Sequence, residues 1–429
     1  MGKVIHDESI LIVGAGVFGL STALALRERG FSNITVLDRY NPPVPDGSSN
    51  DISRIIRFDY ADAFYSRLAK EAIECWESNS LYTPHFHQSG FLLTSETSND
   101  PYLQGAKENL RSQSQPFREF DSTDEIRRQF PGLKGMHIAS SGYLNPSGGW
   151  ADAAGAVRAV AARLSELGVS FVTGPRGTLQ SLIFDTESKV VGVNVLSGPP
   201  LHASKVILAT GAWTNRYLNL DHTIVGSAQP VGFIQLTPEE ARDLADIPVT
   251  ISKSTGVFFF PPSPDNILKV AYHGHGFEVE VPSDGKQGRI ISAPQRDSNN
   301  AASSYLPEDA NKYLRAGLRQ FVPRVADKPW TRGRLCWYTE TPTGDFIADY
   351  HHGVAGLFIA TGGSGHGYKF LPVLGRYIAD CFEGTAAAEV QQKWRLPPFA
   401  TRERKITAGD GSRRGPPRRM LDSSEQAKL

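Results

Sequence analysis

Three glycines and an aspartate carry the first recognisable chemistry in this chain. Gly14, Gly16 and Gly19 form GxGxxG directly after the apolar run at residues 10–13 and at the opening of a helical pattern, and Asp38 closes the next apolar run. This order suits a dinucleotide: one Gly gives a tight turn, one lets backbone approach a pyrophosphate, and one allows close helix–strand packing. The helix start offers free N–H groups and a positive dipole to the anion, so Val17 and Phe18 of the same loop count among the cofactor-binding residues. Asp38 accepts hydrogen bonds from an adenosine ribose and speaks against a ribose 2′-phosphate, a variant that Arg39 beside it leaves open. The fingerprint alone fits FAD or NAD.

Other reactive side chains are sparse. Cys75, Cys336 and Cys381 are far apart and lack CxxC spacing, and the 11 histidines, His351-His352 included, show no HExxH. A disulfide framework, a zinc site and an iron–sulfur cluster are therefore not expected, and an interior thiol-reducing compartment is the simplest reading. Lys plus Arg number 45 and Asp plus Glu 45, a net charge of +0 that disfavours a general nucleic-acid or anionic-membrane binder. The hydrophobic fraction is 40%, in runs broken well short of a membrane span. The first residues lack the longer apolar region and cleavage site of a signal peptide.

The elements that must position these residues alternate between strand and helix, which predicts an α/β chain. Residues 10–13 and 34–37 read as strands flanking a helix at 19–29. Val157, Val160, Leu164 and Leu167 mark one face of a helix within 150–167, followed by a strand at 169–172. Further strands are expected at 205–210 and 357–361, the latter entering a Gly-rich turn. Two stretches, 86–149 and 221–325, are richer in Pro, aromatic and alternating residues. They suggest a mostly antiparallel substrate domain inserted into a discontinuous Rossmann-like domain of 1–85, 150–220 and 326–395, with 396–429 as a C-terminal extension. From about Thr401 the composition is Arg, Gly, Pro, Ser and Lys, which predicts a flexible, accessible tail. Within it Arg413-Arg414 and Arg418-Arg419, around Pro416-Pro417, read as a solvated linker.

Two late segments carry a specific resemblance. The run from Arg334 to Asp349, RLCWYTETPTGDFIAD, is similar to the flavin-attachment segment of the monomeric sarcosine oxidase family, and that from Thr361 to Phe370, TGGSGHGYKF, looks like the family's second flavin loop. The likeness extends from the first strand to about residue 395. Within the family, Pro45–Ser49 with Ser53–Arg57, and Tyr60–Ala63, look most like fungal saccharopine and pipecolate oxidases; fructosyl amino acid oxidases are further members. The turn Ala209–Trp213 resembles the second approach to the cofactor in glutathione-reductase-like FAD proteins, so Gly211 joins the cofactor-binding set.

What the resemblance implies is FAD, thioether-linked through Cys336. Ser49, Asn50, Arg54, Gly363, Ser364, Gly365, His366, Gly367 and Lys369 are then expected against the cofactor. Arg57 and Lys369 are expected to bind a substrate carboxylate, which suits a planar guanidinium fork completed by a point charge. Tyr338 is expected to border the substrate, with Lys269 promoting reaction with oxygen and His273 in the active site. Taken singly, Lys269 reads as a surface lysine, His273 as an ordinary polar strand residue and Cys336 as a small buried hydrophobe. Arg54 and Arg57 share a face if their stretch is helical. Sarcosine oxidases carry His where this chain has Asn50, which puts sarcosine itself in doubt.

The expected activity is oxidation of a secondary amino acid, L-saccharopine first, giving an imine, then aldehyde plus amino acid, and hydrogen peroxide. L-Pipecolate, a fructosyl amino acid or a secondary-metabolite amine are alternatives. An NAD-linked dehydrogenase or a non-catalytic flavin-binding protein are readings of a different class. The expected partners are a small amino-acid substrate and oxygen, for a monomer without nucleic acid, membrane or metal. The terminal Ala427-Lys428-Leu429 resembles the peroxisomal address Ser-Lys-Leu, read by an import receptor when exposed; without it the location is cytoplasmic.

Overall fold

Ile10–Val13 is a strand buried along its whole length, as an unbroken apolar run must be when helices cover both faces of a parallel sheet. In the computed structural model, which describes residues 6–97, 99–138, 141–220, 223–282, 290–295, 304–397 and 411–429, it lies inside a six-stranded sheet. The order is Ile347–Tyr350, Leu357–Thr361, Lys205–Leu208, Ile10–Val13, Ile34–Leu37, Ser170–Val172. All neighbours run parallel except the edge strand Ile347–Tyr350. The helices Val17–Glu28, Ala153–Glu166 and Leu371–Glu383 belong to this body. The first turns out of the sheet at Gly14, whose φ of +114° disfavours any L side chain, and a Cβ at Gly19 would stand 1.9 Å from the Gly14 carbonyl oxygen. The fingerprint glycines therefore set the distance between strand and helix.

The second body is a 10-stranded sheet. Its order begins Arg419–Met420, Phe277–Glu278, Val225–Gln235, Ile267–Tyr272, Val257–Phe259, Val249–Ser252, and continues through Phe91–Ser95, Ser141–Asn145 and Arg118–Phe120. It is antiparallel apart from the pairs of Val249–Ser252 with Phe91–Ser95 and of Phe277–Glu278 with Arg419–Met420. The chain is thus an α/β fold of a Rossmann-like part and a mostly antiparallel part. One boundary expected from composition moves. Arg332–Glu340 falls inside the stretch 326–395 assigned to the nucleotide domain, yet it pairs along its length with Val225–Gln235 in the large sheet. Its apolar alternation fits either sheet, and only the long-range pairing decides.

The tail corrects a second expectation. Residues 398–410 lie outside the described residues, but 411–429 are packed rather than solvated. Leu421 is fully buried in a cluster with Trp337 and Phe277. Arg413 and Glu340 form an ion pair at 2.7 Å with side chains only 3% and 1% exposed, Arg418 pairs with Glu278, and Arg419 with Asp309 and Glu425. The linker reading failed because every one of these carboxylates except Glu425 is distant in sequence. Removing one member of a buried pair leaves the other charge uncompensated, so Arg413→Met is expected to cost about 3 kcal/mol of stability, read as a lowered melting temperature. The end of the chain curls into a short turn in which Ala427 and Lys428 are exposed and Leu429 is half-buried. Among the described residues no helix is long and apolar enough to cross a membrane.

Candidate functional site

Strand register builds one wall of the site. Side chains alternate along a strand, so Lys269, Ala271 and the following His273 share a face of Ile267–Tyr272, as Cys336 and Tyr338 do in Arg332–Glu340. Phe233 stands opposite Lys269, Val231 opposite Ala271 and Arg334, and Gln229 opposite Cys336. All of these therefore point the same way. Gln229, Val231, Lys269, Ala271, His273, Cys336 and Tyr338 line one cavity whose other wall is the parallel sheet's loops: Gly14, Gly16, Val17, Phe18, Asp38, Arg39, Ser49, Gly211 and the run Gly363 to Lys369. Arg54 and Arg57 also line it.

At the dinucleotide end, Asp38 accepts hydrogen bonds at 2.7 Å from the N–H groups of Ala15 and Arg39. Burial pushes its carboxyl up, and these donors and the Arg39 charge offset this only in part, which leaves room for the hydroxyl donors of a ribose. Ser49 Oγ accepts the Val17 N–H at 3.0 Å. Arg39 stands 4.9 Å over the Trp213 ring. Trp213 Nε1 and Gln229 Oε1 are buried polar atoms without a hydrogen-bond partner among the described residues, and both residues line the cavity. Orphaned groups of this kind call for a polar ligand, and FAD fits this cavity.

The centre holds three buried charges, Asp51, Lys269 and Arg334, and the half-buried Arg54. Asp51, fully shielded, pairs with Arg54 and at 2.9 Å with Lys269. Lys269 Nζ also donates to the Ser53 carbonyl at 2.5 Å, and Arg334 donates to the Asn50 carbonyl at 3.0 Å. Burial alone would raise Asp51, but Arg54, Lys269 and Arg334 hold it well below the usual carboxylate range. Burial pushes Lys269 down to about 7; Asp51 resists this and Arg54 reinforces it. Arg54 Nη2 donates to Cys336 Sγ at 3.3 Å, so the buried thiol on the cavity wall has a cation at its sulfur. Cys75 and Cys381 are half-buried instead, and burial raises both thiols.

The far end is built around Tyr60. Lys369 Nζ donates to the Tyr60 hydroxyl and to the His366 carbonyl, both at 2.8 Å. The Arg57 guanidinium lies 4.6 Å over the Tyr60 ring and 5.3 Å over that of Phe91. Its Nη2 donates to Tyr102 at 3.1 Å, whereas Nη1 is buried without a partner. Tyr102 in turn donates to the Asp59 carbonyl at 3.2 Å. A clamped guanidinium with an unpartnered Nη1 beside an ammonium has the chemistry to receive a carboxylate. His273 and Tyr338 face this region with ring centroids 6.1 Å apart.

Three expectations change. Arg54 lies in the short strand Arg54–Ile56 rather than a helix, and both arginines reach the cavity from extended chain. Asn50 does not line the cavity: its amide donates to the Pro45 carbonyl at 3.1 Å, because the turn from Pro45 to Asn50 folds on itself. Gly19 is likewise off the cavity and acts in packing. His366 lines the cavity, but its ring is engaged with Tyr60 at 3.1 Å and the Gly344 carbonyl at 2.8 Å. Sequence reasoning missed Asp51, Tyr60 as the link between the cations Arg57 and Lys369, and Tyr102. An acid three residues before Arg54 was the only local signal for Asp51; Tyr102 had none. Among the described residues no group of His, Cys, Asp or Glu could hold a metal ion.

Comparison with known proteins agrees with this geometry. The DAO family, FAD dependent oxidoreductase, matches residues 9–381. The chain is 32% identical to L-saccharopine oxidase of Schizosaccharomyces pombe over 91% of this chain and 93% of that protein. It is 27% identical to a monomeric sarcosine oxidase of Bacillus sp. over 86% and 90%. Among solved structures, the fructosamine oxidase of Aspergillus fumigatus (Amadoriase II) in complex with FSA superposes with a TM-score of 0.86 at 30% identity, covering 97% of this chain and 96% of that one. A family match over most of the chain, a fold shared along nearly its full length and a cavity that joins the dinucleotide fingerprint to the cations Arg57 and Lys369 converge, and the chain belongs to the DAO family of FAD-dependent oxidoreductases.

Proposed function

We propose that this enzyme oxidises a secondary amino acid, L-saccharopine first, with oxygen as acceptor. The observation that carries the reading is the free Nη1 edge of Arg57 beside Lys369, in the same cavity as Cys336 and Lys269. FAD held by these residues would supply the hydride acceptor for the carbon next to the amine and the route of the electrons to oxygen, with an imine and hydrogen peroxide as products. Arg57 and Lys369 hold the substrate carboxylate, and this positioning lowers the barrier by fixing the reacting carbon. The same cations disfavour a second positive charge nearby and so help keep the amine neutral. Tyr338 and His273 border the substrate. Lys269 supplies a fixed cation, braced by Asp51, for the charge that develops as oxygen is reduced. Water hydrolyses an acyclic imine to aldehyde and amino acid.

Saccharopine as substrate is supported by the likeness to L-saccharopine oxidase over most of both chains. A second reading, L-pipecolate, is favoured by the apolar lining that Ile251, Phe258 and Phe260 add near Lys269. Aerobic peroxide release with saccharopine, pipecolate, sarcosine and a fructosyl amino acid separates them; none from any of the four overturns the oxidase reading. We further propose covalent attachment of FAD at Cys336. Acid-precipitated wild-type protein should stay yellow, and Cys336→Ala should release its colour; a colourless wild-type precipitate contradicts the attachment. Peroxide as product suits a peroxisome, and Ala427-Lys428-Leu429 is the proposed address. Deleting the tripeptide should move a fluorescent fusion from peroxisomes to cytosol.

A further inference from the structure

Part of the cavity wall comes from outside the span matched by the family. Ser412 lines the cavity, is 5% exposed, and places Oγ 2.8 Å from His273 Nε2. One residue earlier, the Gly411 carbonyl accepts from Lys253 Nζ at 2.8 Å. Lys253 stands 4.4 Å over the ring of Tyr102, the residue that holds Arg57. One residue later, Arg413 donates to the carbonyls of Ser364 and Gly274 at 2.8 and 2.9 Å and lies 5.2 Å over the Tyr338 ring. Three consecutive residues thus brace His273, the support of Arg57, and Tyr338. Beyond them Arg414 pairs with Asp100 at 2.8 Å and its carbonyl accepts from the Tyr272 hydroxyl, so the segment is anchored on its outer side too.

We infer that residues 411–414 form a wall of the substrate end of the cavity, in which Ser412 is the positioning residue for His273. The inference rests on reading that end as the substrate site. An imidazole's orientation and tautomer follow from the partner of each nitrogen, and Ser412 fixes Nε2 on the side where the cavity closes. Without the hydroxyl, Nε2 loses this hydrogen bond and the ring is held less firmly at the border of the cavity.

The test uses the full-length flavin-loaded enzyme, as wild type, Ser412→Ala and Ser412→Thr. The probe is N-acetylglycine, a carboxylate with a secondary nitrogen that cannot be oxidised, titrated by the change it causes in flavin absorbance. Loss of one hydrogen bond is expected to weaken its binding in Ser412→Ala about three- to ten-fold, and to raise KM for the oxidised substrate alike with kcat changed less. Ser412→Thr, which keeps the hydroxyl, should behave as wild type, and flavin content and melting temperature should be unchanged in both. Equal binding by wild type and Ser412→Ala, equal weakening in Ser412→Thr, or no response from wild type overturns the inference. Failure of every secondary amino acid to give peroxide would instead overturn the oxidase reading, and the titration still decides the role of Ser412.

Discussion

Lys269→Met is expected to slow the oxygen-dependent half of the reaction by about 10²–10³-fold, the usual loss when one preorganised electrostatic group is removed from a buried site. The ammonium is 2% exposed and held between Asp51, 2.9 Å away, and the Ser53 carbonyl, so its position does not have to reorganise as charge develops. Met keeps the length and apolar stem, and Asp51 retains Arg54 as partner, so the protein should stay folded. The anaerobic loss of yellow colour on mixing with substrate should change much less than the return of colour on admitting oxygen. The pH dependence has a defined sign. Burial lowers Lys269 to about 7, so its charge is present below that pH and lost above it. The wild-type oxygen reaction should therefore fall as pH rises through about 7, and the Lys269→Met reaction should lack that step. An oxygen reaction at the wild-type rate in the variant would remove Lys269 from the account.

Arg57→Met should lower kcat/KM for an amino-acid substrate by about thirty-fold to several thousand-fold, corresponding to about 2–5 kcal/mol for truncating one partner of a buried charge pair. The guanidinium lies against the rings of Tyr60 and Phe91 and Nη2 donates to Tyr102, while the buried Nη1, without a hydrogen-bond partner among the described residues, is available to a ligand. A wild-type Lys369 remains to attract the carboxylate as a point charge, but without the fork the substrate loses its orientation. The loss should therefore appear in kcat as well as KM. A secondary amine without a carboxylate serves as control, since it should be oxidised slowly and almost equally by both proteins. Flavin content and melting temperature check that Asp59, buried near Arg57, has not unfolded the variant. Unchanged kcat/KM with amino acids would place the carboxylate elsewhere.

The parts of this site legible in the sequence are those whose chemistry is local. Gly14 to Asp38 form one βαβ unit, so spacing alone gives strand, turn, helix and terminal acid, and the structure keeps the strands at 34–37 and 357–361 as expected. Lys269, Cys336 and Tyr338 could be singled out only through long motifs, because what unites them is a sheet face on which Ile267–Tyr272 and Arg332–Glu340 are brought together by their common neighbour Val225–Gln235. Asp51 escaped notice because an acid in a turn looks solvated until Lys269 arrives from a strand far along the chain. The tail misled for the same reason in reverse. Arginine-rich composition reads as solvated, and nothing near Arg413 in sequence announces Glu340. Tyr60 was visible as part of a motif, but its bridging of Arg57 and Lys369 needed three segments in space.

In the proposed reaction this cavity passes reducing equivalents from a secondary amino acid to bound FAD and then to oxygen. Its most direct test is anaerobic mixing of the purified yellow holoenzyme with L-saccharopine, and separately with L-pipecolate, followed by admission of air. The account predicts that at least one of the two bleaches the flavin without oxygen, and that air restores the colour with release of one hydrogen peroxide per flavin. A flavin that stays fully oxidised with both, in protein shown to hold its cofactor, would contradict it.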